Sequence, residues 1–163
     1  MPGLFQTKAH ANALYAMRKP LLDDELIEQR VSARMARQVV LTGRPVPMVS
    51  CVIEEAILRR PIGEWNIHKE QLSALARLGR LRNVELQVMP LDCPEHAGMG
   101  GAFTLLTPKG KPQVGYVEVQ NVSRLITDLE EVRILAARYG CIRSQALTPR
   151  ESLALIERLL NSQ

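Results

Sequence analysis

Aromatic side chains are scarce in this chain: two Phe, one Trp and three Tyr make up 4% of 163 residues. A core built from it must be aliphatic, and there is little flat surface on which bases could stack. Cysteine is nearly as rare. Cys51, Cys93 and Cys141 are odd in number and widely spaced, which fits free thiols in a reducing cytoplasm. No apolar run approaches the roughly 18 residues of a membrane span, so no membrane role is expected. The opening stretch MPGLFQTKAHAN lacks a basic region followed by an apolar one and does not read as a signal peptide. Internal repeats and low-complexity tracts are missing too. Charge is close to balanced, with 21 Lys and Arg against 17 Asp and Glu, and the net +4 permits an acidic partner without demanding one.

What is present is a hydrophobic fraction of 46%, enough for one domain with a real core. Residues 84–119 organise the rest. Val84, Leu86 and Val88 alternate with Glu85 and Gln87, the period of a strand with one buried face. Phe103, Leu105 and Leu106 form a second run, and Val114, Tyr116, Val117 and Val119 a third. The polar turn Pro108-Lys109-Gly110-Lys111-Pro112 between them predicts an antiparallel hairpin. Met48 to Ile53 reads as a further strand, followed by a helical turn at 54–60 and a helix to about Leu81 that Asn66 would cap. Strand, helix and strand in that order predict a parallel crossover pair. Asn121 to Thr127 offers a short additional strand.

Helices account for the remainder. Thr7 caps one running to about Lys19. Asp23 and Asp24 open another to about Thr42, with Ile27, Val31, Met35 and Val39 as its apolar stripe and Arg30, Arg34 and Arg37 beside it. Asp128 starts a helix to about Ser144. Thr148-Pro149-Arg150-Glu151 is a capping box, and Leu153, Ile156, Leu159 and Leu160 follow on one face. The expected fold is α+β: a mixed sheet of about four strands (48–53, 84–89, 102–107 and 113–120) under packed helices. A helical N-terminal lobe would span 1–44 and the α+β domain 45–163.

The segments PGLFQT, Arg30-x-x-x-Arg34-x-x-Arg37-Gln38, EEAILRRPIG at 54–63, QLSALARL at 71–78, VELQVMP at 84–90, GAFTLL at 101–106, VGYVEV at 114–119 and TPRESLALI at 148–156 carry a resemblance. In that order they resemble the C-terminal domain of actinobacterial, antitoxin-like transcriptional regulators with an N-terminal Xre-type helix-turn-helix. That domain has no assigned biochemistry. The resemblance implies a regulatory part that senses a signal, binds a partner or dimerises. The partner would be a small protein or a small-molecule signal, and DNA would be read only through a helix-turn-helix absent from this chain.

Candidate site residues come from three places: Glu55, Arg59 and Arg60 on the 54–60 turn, His96 in the 90–101 loop, and Tyr116 with Glu118 on the third run. Glu54 and Pro90 would both lie just past the C-terminal ends of parallel strands, the edge where open α/β sheets bind ligands. Cys93 and His96 have Cys-x-x-His spacing, but a zinc site needs four ligands and His10, His68, Cys51 and Cys141 offer no matching spacing. No metal and no cofactor is expected. A small hydrolase working from the 90–101 loop is the alternative, although Cys93 with His96 lacks an orienting third group and the adjacent Glu54 and Glu55 would point different ways from a helical turn. Arg30, Arg34, Arg37 and Arg44 could track phosphates, yet such a row is more often a solvated helix border, and weak or no DNA binding is expected. Homodimerisation through the stripes of the 24–42 and terminal helices is a separate expectation, unless both stripes are core.

Overall fold

The computed structural model describes residues 1–120 and 122–162, and it is α+β as expected. The chain forms two compact units. Met1–Leu91 returns with the segment from Leu147 onward to make the first, and Asp92–Ala146 makes the second. Residues 1–44 belong wholly to the first unit.

In the first unit, β1 (Val49–Glu54) and β2 (Val84–Met89) pair in parallel, with Val49 opposite Val84 and Glu54 opposite Met89. The short α3 (Glu55–Arg59) and the longer α4 (Trp65–Leu78) make the crossover between them. The expected Asn66 cap is displaced. Helix α4 starts two residues earlier, after Glu64, and the Asn66 carboxamide accepts from the next amide, Ile67, at 2.8 Å. β2 is buried almost throughout, as a parallel strand covered on both faces must be. Its outer edge is closed by the start of α6 (Pro149–Asn161): Ser152 Oγ accepts the Val88 N–H at 2.8 Å, and the Leu147 N–H donates to the Val88 carbonyl at 2.9 Å. Gln87, buried within the strand, donates to the Leu147 carbonyl at 2.9 Å. Thr148 and Glu151 make the capping box read from the sequence. The aliphatic core joins Ile53, Leu58, Leu72, Leu75, Leu86 and Val88 to Leu155, Ile156 and Leu159.

Helices α1 (Lys8–Ala16) and α2 (Asp24–Arg37) complete this unit, capped by Thr7 and Asp23 as expected. Ala11 and Tyr15 of α1 meet Ile27 and Val31 of α2. The stripe of α2 ends sooner than its period suggests. After Arg37 the chain tightens into a 3-10 turn over Gln38–Leu41, which swings Val39 out to 67% exposure and Leu41 in to 4%. Ile27 and Val31, like Leu155, Ile156 and Leu159 of α6, are core.

The first seven residues are tied down by polar side chains. Gln71 of α4 accepts the Thr7 N–H at 2.8 Å and donates to the Phe5 carbonyl at 2.7 Å. Gln38 donates to the Gln6 carbonyl at 2.6 Å, and Arg34 Nη1 donates to Gln6 Oε1 at 2.6 Å. These bonds seat Phe5 in the core at 2% exposure.

The second unit is a meander. β3 (Phe103–Leu106), β4 (Val114–Val119) and β5 (Val122–Ile126) form an antiparallel sheet in that order, followed by α5 (Leu129–Gln145), capped by Asp128. Phe103, Leu105, Val117 and Ile126 pack on Val132 and Leu135 of the helix. Gly115 allows the closest approach, since a Cβ there would stand 2.9 Å from Leu135 Cδ1. The hairpin turn is as expected, with the Lys111 N–H bonded to the Pro108 carbonyl and Gly110 at φ +70°. Asn121, the first residue of the additional strand read from the sequence, lies outside the described residues. The expected single mixed sheet is therefore two sheets, a parallel pair and an antiparallel triplet. The edge of β2 that would have joined them is taken by Leu147 and Ser152.

Two histidines lie in the first unit's interior, His10 of α1 and His68 of α4, each 2% exposed. His68 Nε2 donates to the Leu58 carbonyl at 2.8 Å, while neither ring nitrogen of His10 has a hydrogen-bond partner among the described residues. Burial pushes the His10 pKa down from 6.5 to about 4, with the charges of its surroundings adding to the effect. The folded state therefore disfavours a proton that the unfolded chain accepts. Stability carried by neutral His10 is whole above pH 6.5 and drains away as the pH falls toward about 4. Denaturant midpoints measured across that window are expected to fall in the wild type and to fall less in His10→Phe. The variant should match the wild type at pH 7.5, because no hydrogen bond is lost.

Candidate functional site

Because β1 and β2 are parallel, both run out at the same edge, and the 54–60 turn begins there. Glu55 opens α3 and is 7% exposed. Its Oε1 accepts from Arg59, with Nε at 2.7 Å and Nη2 at 2.6 Å, the i,i+4 pair expected from the sequence. Its Oε2 accepts the Leu91 N–H at 3.0 Å. Burial raises the carboxyl pKa, but the Leu91 N–H and the Arg59 guanidinium outweigh it and hold Glu55 below the ordinary carboxylate value. Oε2 thus holds the chain where it leaves β2, while Oε1 is committed to Arg59. Arg59 keeps half its side chain in solvent beside Glu55, and Arg60 follows, exposed, at the end of the turn.

The other three expected residues belong to the second unit. His96 precedes a 3-10 turn at Ala97–Gly100, and its Nδ1 accepts the Gly98 N–H at 3.1 Å. That turn packs on α5: a Cβ on Gly98 would lie 3.6 Å from Ile142 Cδ1, and Gln145 donates to the Glu95 carbonyl at 3.1 Å. Cys93, two residues before Glu95, directs its thiol to the Glu95 carbonyl at 3.7 Å. Tyr116 and Glu118 stand on the sheet face turned away from α5, where the Tyr116 hydroxyl donates to Glu118 Oε2 at 3.1 Å. The structure thus brings Glu55 to Arg59 and Tyr116 to Glu118, while His96 packs with α5 on the other side of its sheet from Tyr116.

Tyr116 has apolar company that the sequence reading passed over. The strand register places Leu106, Tyr116 and Leu125 on one outward face, at 59%, 39% and 63% exposure. Val119 and Val122, paired at the end of β4 and β5, are 68% and 73% exposed. Alternation was the available signal, because a three-stranded sheet under one helix has one face to spare. The buried polar residues Gln71 and His68 were also passed over. They lie on the same helical face as Leu72 and Leu75, and a polar residue inside an apolar stripe marks a buried partner. An open, polar groove of about 580 Å³ lies in the first unit between α4 and α6, lined by Asn66, Lys69, Glu70, Ser73, Leu160 and Asn161, and none of the expected residues touches it.

Among the described residues no three His, Cys, Asp or Glu side chains gather as a metal ion would need, and no helix is long and apolar enough to cross a membrane. These features define an α+β chain in which Glu55, Cys93 and His96 bond the chain's own backbone. It belongs to the family DUF5753, a domain of unknown function, whose model matches residues 1–158. No curated protein and no solved structure matches the chain.

Removing the Glu55 carboxylate tests its role at the strand ends. Glu55→Ala should cost about 1–2 kcal/mol at pH 7, the usual toll of a part-buried N–H left without an acceptor. The wild type should also lose that stability on acidification as the carboxylate takes up a proton, whereas Glu55→Ala should lose only what His10 carries, so the gap between the two narrows. Urea titrations at pH 7 and pH 3.5 check both.

Proposed function

We propose that this chain is a non-catalytic regulatory domain that binds a protein partner through the outer face of its antiparallel sheet. The observation that carries the reading is that face: Leu106, Tyr116 and Leu125 are exposed together on the side of the sheet turned away from α5. Clustered exposed apolar side chains on a sheet mark an interaction surface. Glu118 lies on the same face and accepts from the Tyr116 hydroxyl, with no cation paired to it among the described residues. A partner fits best if it offers an apolar surface with a Lys or Arg opposite Glu118. Tyr116 supplies the flat, amphipathic centre that such interfaces favour.

The commitments of the other polar groups support a binding role over a hydrolase. Glu55 spends both oxygens on Arg59 and Leu91, the Cys93 thiol turns to a carbonyl, and His96 Nδ1 accepts a backbone N–H. The resemblance to antitoxin-like regulators of the Xre helix-turn-helix type points the same way. In such a protein this domain receives the signal, a small protein partner, in the cytoplasm, and the helix-turn-helix region reads DNA.

Leu125→Arg should abolish capture of the partner by the full-length regulator in its native host, at a melting temperature within a few degrees of wild type. Glu118→Lys should weaken capture about tenfold by opposing the partner's cation. Quantitative mass spectrometry of affinity eluates measures both. A protein retained equally by wild type and Leu125→Arg would refute the sheet face as its site.

A further inference from the structure

Two arginines of the row read from the sequence as a solvated border, Arg30 and Arg34, converge with Arg18 on one tyrosine. Tyr15, the last aromatic of α1, is 7% exposed. The guanidinium carbon of Arg34 lies 4.7 Å from its ring centroid, that of Arg18 5.4 Å and that of Arg30 5.9 Å. Arg30 and Arg34 are four apart on α2, and Arg18 follows the end of α1. Among the described residues no carboxylate pairs with any of the three. Arg34 is fixed in place, because Nη1 donates to Gln6 Oε1 and Nη2 to the Tyr15 hydroxyl, each at 2.6 Å. The same hydroxyl, having accepted from Arg34, meets no acceptor for its own hydrogen among the described residues.

From this geometry we infer that Arg18, Arg30, Arg34 and the Tyr15 hydroxyl form a site for a single phosphate group. Three like charges drawn to one ring repel one another, and the ring quadrupole offsets this only in part. A dianion seated among them removes the repulsion and accepts the N–H and O–H hydrogens that the protein leaves unused. Guanidinium forks match phosphate oxygens in pairs, and a partner already held by Gln6 loses little freedom on binding. The cations cluster around one ring, so they suit one compact anion better than a run of phosphates along a strand. The site lies in the first unit and is independent of the sheet face assigned to a protein partner.

The test uses the whole chain, with inorganic phosphate as probe and arginine Nε–Hε signals in NMR as readout, at constant ionic strength set with chloride. Expected are saturable shifts of Arg18, Arg30 and Arg34 at millimolar phosphate or below, while Arg138 and Arg150 stay still. Arg30→Gln and Arg18→Gln should each weaken binding about tenfold, and Arg30→Lys, which keeps charge without the fork, should restore only part of it. A second arm distinguishes the source of the phosphate. Tighter binding of a phosphomonoester than of a short DNA duplex assigns a small phosphorylated ligand. Duplex binding that is lost in Arg18→Gln and Arg30→Gln assigns a nucleic-acid backbone. Shifts that are linear in phosphate, shared by all arginines, or unchanged in the two glutamine variants would overturn the site.

Discussion

The first unit depends on one side-chain amide. Gln71 projects from α4 into the interior and bonds the backbone of the first seven residues on both sides, taking the Thr7 N–H and giving to the Phe5 carbonyl. Two consequences follow in sequence. Phe5 is delivered to the core, where aromatics are few and its volume matters. Thr7 is held so that its hydroxyl can cap α1, which brings His10, Ala11 and Tyr15 inward. Gln6, anchored by Gln38, then fixes Arg34 against Tyr15. A polar network of this kind is favourable only when every member is satisfied, so its parts stand or fall together. His10, with no partner of its own among the described residues, is where protons can attack it.

Much of the architecture was legible because it is local. Thr7, Asp23, Asp128 and Thr148 announce four helix starts, each through a side chain reaching two or three residues along the chain. The 108–112 turn specified the hairpin, and the order of strand, helix and strand specified the parallel pair. Non-local decisions were not legible. Gln71 meets its partners across 64 and 66 residues, and Ser152 meets Val88 across 64. No periodicity in the sequence encodes such distances. The choice of two sheets over one followed from the last of these contacts, which closes the edge that further strands would have used.

The candidate site shows the same division. Glu55 with Arg59, four apart on a helical turn, and Tyr116 with Glu118, two apart on a strand, were readable as neighbours and are neighbours. Their availability was not readable. Glu55 looks free in the sequence and is bound by the Leu91 amide, while Tyr116 proves one member of an apolar face assembled from three strands. The two surfaces that the chain leaves open, one apolar with a lone carboxylate and one cationic around Tyr15, are both products of tertiary pairing. Each consists of residues whose bonding is unfinished within the described chain, in contrast to the groups at the strand ends.

The first seven residues are an integral part of the first unit, locked by Gln71, and native-state hydrogen exchange of the Thr7 amide measures this directly. If the lock holds, Thr7 exchanges only through unfolding of the unit, at the rate of the slowest amides of α4 such as Leu75, and shares their dependence on denaturant. If the segment instead opens by itself, Thr7 exchanges far faster than Leu75 and insensitively to denaturant, and Gln71 is not the lock on which the core depends.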